Sequence, residues 1–466
     1  MIFRKFTLSL AVLLISGGCA LGPDYLRPDV KIPSAWQTQQ AGKLTELNSW
    51  WASFKDPSLN ALITAAQKDN PTLAKATAAI EKARASRSSA ESGFFPDLNA
   101  SADAARSGSL KNGNGTNRTA STGLDASWEL DLFGRTRRSS ESAAAKLEAR
   151  EADWHDAHVT LSAEVAGYYV EYRAARIKQK YYEEQADSQT KTSGLTRISA
   201  KAGFTADADV KLAEASAAST RSTSLSQKAE CDLIVKSLVA LTGMDESELR
   251  MILAPDVSSL PQPEYFQVTN LPANLLRQRP DIVSAERELA SASALIGVAE
   301  AARWPSLTLG GSVGLTSTHG TKTTAPWSFG PTITLPIFDG GSIKAGIKSA
   351  KADYDSAYAT YKQTVRDAVK EVEQALVRLD SVARRESEEQ KSAQGYRAYL
   401  TAVEQNWRTG GANQFDLETA RRSAITAEVS LLELQQNRLL YWIALYKAAG
   451  GGWTVDSLQD NKGETK

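Results

Sequence analysis

Ala120-Ser-Thr-Gly-Leu-Asp-Ala-Ser-Trp-Glu-Leu-Asp-Leu-Phe-Gly134 alternates without a break. Ala120, Thr122, Leu124, Ala126, Trp128, Leu130 and Leu132 fall on one side; Ser121, Gly123, Asp125, Ser127, Glu129 and Asp131 fall on the other. A period of two predicts a β-strand with one apolar and one polar face. Just upstream, Leu98, Ala100, Ala102 and Ala104 share a face opposite Asn99, Ser101 and Asp103, and the Gly/Asn-rich stretch from Ser109 to Asn117 turns the chain between the two strands.

The same plan recurs further on. Leu307, Leu309, Val313 and Leu315 alternate with small or polar neighbours, a loop follows around His319-Gly320, and Trp327, Phe329, Ile333, Leu335 and Ile337 alternate on the return. Landmarks outside the hairpins repeat as well. Asn70-Pro71 opens a helical run that ends at Phe95-Pro96, and Arg279-Pro280 opens one that ends at Trp304-Pro305, each with a Pro-to-Pro spacing of 25. Phe133 and Phe338 after the hairpins, glycine turns at Gly203 and Gly410, and helix stops at Gly243 and Gly450 hold the same order, and all these offsets lie between 205 and 209 residues. The chain is a tandem duplication, and that decides its architecture.

Lys and Arg number 54 and Asp and Glu number 54, a balance that argues against a general nucleic-acid binder. The first residues read as an export signal: Arg4 and Lys5, an apolar run from Phe6 to Ile15 too short to span a bilayer, then Ser16-Gly17-Gly18 before Cys19. Two readings stand, a lipoprotein signal in which Cys19 is acylated and an ordinary secretory signal with an incidental cysteine. Ser16 departs from the leucine usual in the former. Cys231 is the only other cysteine, so no disulfide framework exists, and its place on a helical seam makes it a packing residue. Beyond the signal no apolar run approaches 18 residues. A membrane crossing must therefore use β-strands.

Strands of about ten residues, apolar outward and polar inward with aromatics near the ends, fit outer-membrane strands; a small soluble sheet is the alternative for either hairpin alone. Four strands cannot close a barrel, and an open edge cannot sit in lipid. Other copies must complete it. Two copies give about eight strands around a filled interior, and three give about twelve around an open lumen. A homotrimer is the economical reading.

The runs from Gly134 to about Ala200 and from Gly340 to about Trp407 contain no proline, and each predicts a helix of about 100 Å. The second carries an unbroken 4-3 seam: Tyr354, Tyr358, Tyr361, Val365, Ala368, Val372, Ala375, Leu379, Val382, Glu386, Glu389, Ala393, Tyr396, Leu400, Val403 and Trp407. The first is looser, with Leu147, Trp154, Leu161 and Tyr168 at seven-residue steps. Partner helices, expected to start at Asp209-Val210 and Asp416-Leu417, share one register at a constant offset of 207 and form antiparallel hairpins through Gly203 and Gly410.

Cys19-Ala-Leu-Gly-Pro-Asp-Tyr-Leu-Arg-Pro28, Trp50-Trp51-Ala-Ser-Phe-Lys-Asp56-Pro57-Ser-Leu-Asn-Ala-Leu62, the turn from Gly410 to Ser423 and Ala448-Ala-Gly-Gly-Gly-Trp453 resemble the outer-membrane efflux lipoproteins of the TolC/OprM type, NodT-like branch. The resemblance covers nearly the whole mature chain. It implies a mixed α and β membrane protein: a homotrimeric twelve-stranded outer-membrane β-barrel, four strands per chain, continued by a long periplasmic α-helical barrel. Residues 1–18 would be the signal, 19–57 the lipidated and equatorial segment, 58–250 and 251–453 the two repeats with hairpins at about 97–132 and 306–337, and 454–466 the tail. The expected partners are a periplasmic adaptor, an inner-membrane pump of the resistance-nodulation-division type and outer-membrane lipids, with no cofactor and no nucleic acid. An exit duct of a type I secretion system, and a trimeric structural or adhesive stalk with one long helix per chain, are the competing readings.

No catalytic constellation is present. His155 and His158 stand i,i+3 on a helix without a supporting carboxylate or thiol arrangement, so no metal site is expected. The functional region expected is the closed end of the helical tube. Asp207, Asp209, Asp416 and Glu418 are candidates for a gate ring; Arg197, Lys201, Gly203, Arg408, Gly410 and Gly411 are candidates for adaptor docking. Thr419 stands where some members of the resembled family carry a gate-region aspartate. The alternative for Asp209 and Asp416 is that they cap their helices.

Overall fold

The computed structural model describes residues 20–30, 33, 36, 47–108, 116–254, 259–261, 276 and 278–451. The signal 1–18, Cys19 and the tail 454–466 lie outside them. After a 3-10 turn, Leu47–Phe54, come α1 (Pro57–Asp69), α2 (Pro71–Ser92), β1 (Asp97–Gly108), β2 (Thr116–Leu130), α3 (Arg135–Lys201), α4 (Asp207–Thr242) and α5 (Glu246–Leu253). The second repeat supplies α6 (Pro280–Ala301), β3 (Ser306–Thr318), β4 (Trp327–Thr334), α7 (Ser342–Arg408) and α8 (Gln414–Ala448). Both long helices are 67 residues, about 100 Å at 1.5 Å per residue.

Two compact units cut across the duplication. One comprises residues 1–30, 77–153 and 281–364, the other 31–76, 154–280 and 365–466. The physical reason is the continuity of α3 and α7, each of which begins in the first unit and ends in the second.

In the first unit the four strands form one antiparallel sheet in the order β1-β2-β3-β4, open at β1 and β4. Leu98 lies opposite Ala126, Leu124 opposite Val313, and Leu309 opposite Pro331, so the apolar side chains of all four strands share a face. The returning strands stop earlier than their alternation suggests. β2 ends at Leu130 and β4 at Thr334, leaving Leu132, Leu335 and Ile337 outside the ladder. Beside the sheet the extended segment 20–30 is seated by backbone-to-backbone approach. A Cβ on Gly22 would lie 2.4 Å from the Gly297 Cα, and one on Gly134 would lie 2.6 Å from the Ala20 Cα. The buried Arg138 guanidinium donates to the Leu21 carbonyl at 3.0 Å and to Asp24 at 2.7 Å, and the Tyr25 hydroxyl donates to Glu286 at 2.5 Å.

The second unit has an apolar core of Leu59, Leu62, Val165, Tyr169, Val235, Leu238 and Leu249 among others. Asp56 caps α1 through the amides of Ser58 and Leu59, and its carboxylate also accepts from the Tyr169 hydroxyl (2.6 Å) and Arg173 (3.1 Å). Trp50 and Trp51 both pack on Tyr446 with ring centroids 4.8 Å apart. Cys231 belongs to this core, and burial pushes its thiol up to about 11. On α7, Val365, Ala368, Val372, Ala375, Leu379, Val382, Ala393 and Val403 are buried, as the seam predicts. Its polar step is accounted for by Arg438 of α8, which donates to both oxygens of Glu386 at 2.9 and 2.8 Å. No helix among the described residues is long and apolar enough to cross a membrane.

Candidate functional site

The sheet sorts its charges by face. Asp97, Asp103, Asp125 and Glu129 lie on the face opposite Leu98, Leu124, Trp128, Leu309 and Phe329, in register with Asn99, Ser101, Ser127, Thr308 and Ser312. The apolar face is exposed in the protomer: Leu98 69%, Trp327 77%, Phe329 72%, Ile333 71%. Bare apolar side chains over a whole sheet face require lipid or a partner to cover them. Phe133 and Trp304 stack at 5.2 Å where strands pass into helices, the position of an interfacial aromatic belt.

The far ends of the long helices turn through two copies of one motif. Gly203 and Gly410 both have φ of +80°, which only glycine adopts without strain. Phe204 N–H donates to the Ser199 carbonyl at 3.0 Å and Gly411 N–H to the Asn406 carbonyl at 2.7 Å, the Schellman closure in each case. The next helices begin at Asp207 and Gln414, two residues before Asp209 and Asp416, which corrects the expected starts. Asp209 is therefore not an N-cap; that position is Ala206, which has no side chain to cap with. Asp416 stands at N3 of a capping box, accepting from the Asn413 amide at 3.2 Å while Asn413 Oδ1 accepts from the Asp416 amide at 2.8 Å. Between the turns opens a cavity of about 850 Å³ whose lining includes Phe204, Asp209, Trp407, Arg408, Asn413 and Asp416.

Of the remaining candidates, Asp207, Lys201, Arg408 and Gly411 are exposed. Arg197 is exposed too but engaged with Glu214 at 2.7 Å, and Lys211 sits 3.4 Å from the same carboxylate, whose affinity for protons falls on account of these partners. Glu418 is inside the protomer. Its carboxylate accepts from Gln189 (2.9 Å), Gln414 (3.0 Å) and Arg421 (3.4 Å), and burial raises its pKa above the usual range against the pull of Arg421. Arg421 in turn donates to Thr192 (2.9 Å) and Glu404 (3.3 Å), and Thr220 donates to Gln189 (2.6 Å). Side chains of α3, α4, α7 and α8 thus meet in one buried polar belt. Sequence reasoning found Glu418 but missed Gln189, Glu404 and Arg421. The signal was a second stripe, Gln414-Glu418-Arg421, beside the apolar seam Leu417-Ala420-Ala424.

His155 and His158 pack against the Trp154 ring at 5.0 and 5.4 Å. Burial pushes both down, His155 to about 4 with help from His158. Among the described residues no group of three or more His, Cys, Asp or Glu is placed to share a metal ion.

A one-faced sheet with two open edges, joined to two paired long helices, is the protomer of a channel rather than of a stalk with one helix per chain. The comparisons give that class a family. Residues 62–244 and 271–451 match the family described as outer membrane efflux protein, one match per repeat. The nodulation protein T of Rhizobium leguminosarum bv. trifolii is 30% identical over 463 residues, 97% of this chain and 98% of that one. The solvent efflux pump outer membrane protein SrpC of Pseudomonas putida is 31% identical over 474 residues, 96% and 98% of the two chains. The solved structure of the outer-membrane channel OprN superposes with a TM-score of 0.84 at 32% identity, covering 93% of this chain and all of that one.

This chain belongs to the outer membrane efflux protein family. It is an outer-membrane channel, a passive exit duct of tripartite efflux and not an enzyme; its four strands are a third of a twelve-stranded barrel continued by a periplasmic helical barrel. Channels of this family are homotrimers that work with an adaptor and an inner-membrane pump.

Proposed function

We propose that the duct serves a pump of the resistance-nodulation-division type, that it is closed at the Gly203 and Gly410 turns, and that Asp207, Asp209, Asp416 and Glu418 set the cation traffic through that closure. The adaptor docks on the same turns, through Lys201, Arg408 and the Gly203, Gly410 and Gly411 backbone, with Arg197 entering by exchange of its Glu214 partner. Cys19 carries the lipid. The observation that carries the gate reading is the buried belt around Glu418 and Arg421: four helices near the turns are joined by polar contacts that can be exchanged, whereas apolar packing would have to be torn open.

Transport needs no chemistry from the channel. Its residues supply a water-filled path whose barrel section is lined by carboxylates, and the pump supplies the energy. Replacing both Asp416 and Glu418 by Ala is expected to raise cation leak through trimers reconstituted in planar bilayers. Unchanged single-channel conductance and selectivity would remove the gate assignment. Charge reversal at Lys201 and Arg408 is expected to abolish efflux in cells while trimers assemble normally.

A further inference from the structure

The hairpin end of the sheet carries an uncompensated positive charge on the lipid side. Arg106 and Arg118 are direct cross-strand partners. Arg106 continues the outward row Leu98, Ala100, Ala102, Ala104, and Arg118 continues the row Trp128, Ala126, Leu124, Thr122, Ala120. Like charges placed directly opposite repel, so such a pair costs stability unless an anion lies between or above the two. Among the described residues none is placed there. From Ala104 to Leu124, and from Ser306 to Phe338, there is no Asp or Glu, while Lys111 and Lys322 add two further Lys side chains. The four carboxylates of the sheet all lie on its other face, toward the lumen.

Position along the strand decides what this pair meets. Eight residues separate Leu98 from Arg106. At about 3.4 Å per residue and a tilt of about 40°, that is roughly 20 Å along the barrel axis, against an apolar band of about 25 Å. The opposite ends of the strands pass into helices that no membrane span accommodates, so the Arg106–Arg118 end is the cell-surface end. The site is also rigid. The Arg118 carbonyl accepts from the His319 amide at 2.8 Å, which ties the first hairpin to the second just beside the pair.

We propose that Arg106 and Arg118 form a phosphate-binding site for phosphorylated lipid of the outer leaflet, one site per protomer. This rests on the reading of the sheet as an outer-membrane barrel. Two guanidinium groups on adjacent strands present forked donors at the headgroup level, a geometry that grips phosphate in a bidentate manner, whereas Lys supplies only a point charge. A ring of three such sites would fix the barrel's height and rotation against the surface layer.

The test uses the full-length trimer in vesicles of phosphatidylethanolamine doped with bisphosphorylated lipid A, with lipid retained after extraction read by native mass spectrometry. Up to three lipid A molecules per trimer are expected on the native protein, with retention lowered about tenfold by Arg106→Ala/Arg118→Ala and partly kept by the double Lys variant. Stepwise conductance in the same vesicles checks the barrel itself, so failure of the site and failure of the channel reading are told apart. Should the alanine variant not insert, the native trimer is offered lipid A stripped of its phosphates; equal retention of the stripped lipid overturns the proposal. Retention unchanged by the alanine variant, or lipid A displaced by inorganic phosphate, overturns it as well.

Discussion

Two ion pairs 207 residues apart answer each other in the duplicated hairpins. Lys211 and Glu214 on α4, and Glu418 and Arg421 on α8, occupy matched positions with their charges exchanged, and each pair closes at 3.4 Å. Their surroundings differ. The α4 side chains are 74% and 34% exposed, while those on α8 are 10% and 7% exposed. α8 has buried side chains at intervals from Gln414 to Ala448, and side chains of both α3 and α7 bond to it. Between Ala213 and Cys231, α4 buries nothing fully. The duplication preserved the spacing of a pair. Tertiary context decided whether that pair is surface decoration or the hub of a buried network.

The largest expected effect breaks this contrast. Arg421→Ala leaves Glu418 buried without its cation and is expected to lower stability by about 3 kcal/mol, seen as an earlier midpoint in denaturant titration of the helical circular dichroism signal. Glu214→Ala at the matched position is expected to leave the midpoint where it was. Equal shifts from the two would mean that burial does not separate them.

A smaller effect concerns the helix starts. Asn413→Ala removes one half of the capping box at α8 and is expected to cost about 1 kcal/mol. Ala206→Asn offers α4 the cap it lacks and is expected to stabilise by somewhat less than about 1 kcal/mol. If the new Asn does nothing, the first turn holds its backbone in a geometry that a side-chain cap cannot reach.

The smallest effect is a pH dependence. Burial raises the Glu418 pKa in the folded protein, so the folded state favours the neutral acid. Its contribution is complete below the ordinary carboxylate range and is lost as pH rises through the raised value. The native protein is expected to lose some stability across that window, and Glu418→Gln to lose less of it. Parallel pH profiles for the two proteins would show that the carboxyl is not the source.

Much of this was legible in the residues. Alternation from Ala120 to Leu130 placed the strand and its two faces, the prolines at 71, 96, 280 and 305 marked the helix boundaries, and Gly203 and Gly410 marked the turns. Three things were not. Asp209 and Asp416 stood out as caps because they precede apolar residues, yet the backbone begins each helix two residues sooner, where Ala206 gives no signal and Asn413 does. The belt around Arg421 was hidden because a seam is periodic within one helix, whereas a hub needs Gln189, Glu404 and Arg421 from three helices far apart in sequence. The seating of segment 20–30 depends on Gly22, Gly134 and Gly297 being bare on the sides that meet, and nothing local in their neighbourhoods announces that contact.

That seating fixes an order of events during biogenesis. The groove for Leu21 and Gly22 exists only once the helices bearing Arg138 and Gly297 have come together, contacts that span more than a hundred residues. Segment 20–30 thus cannot dock until α6, about 250 residues further along the chain, has been made.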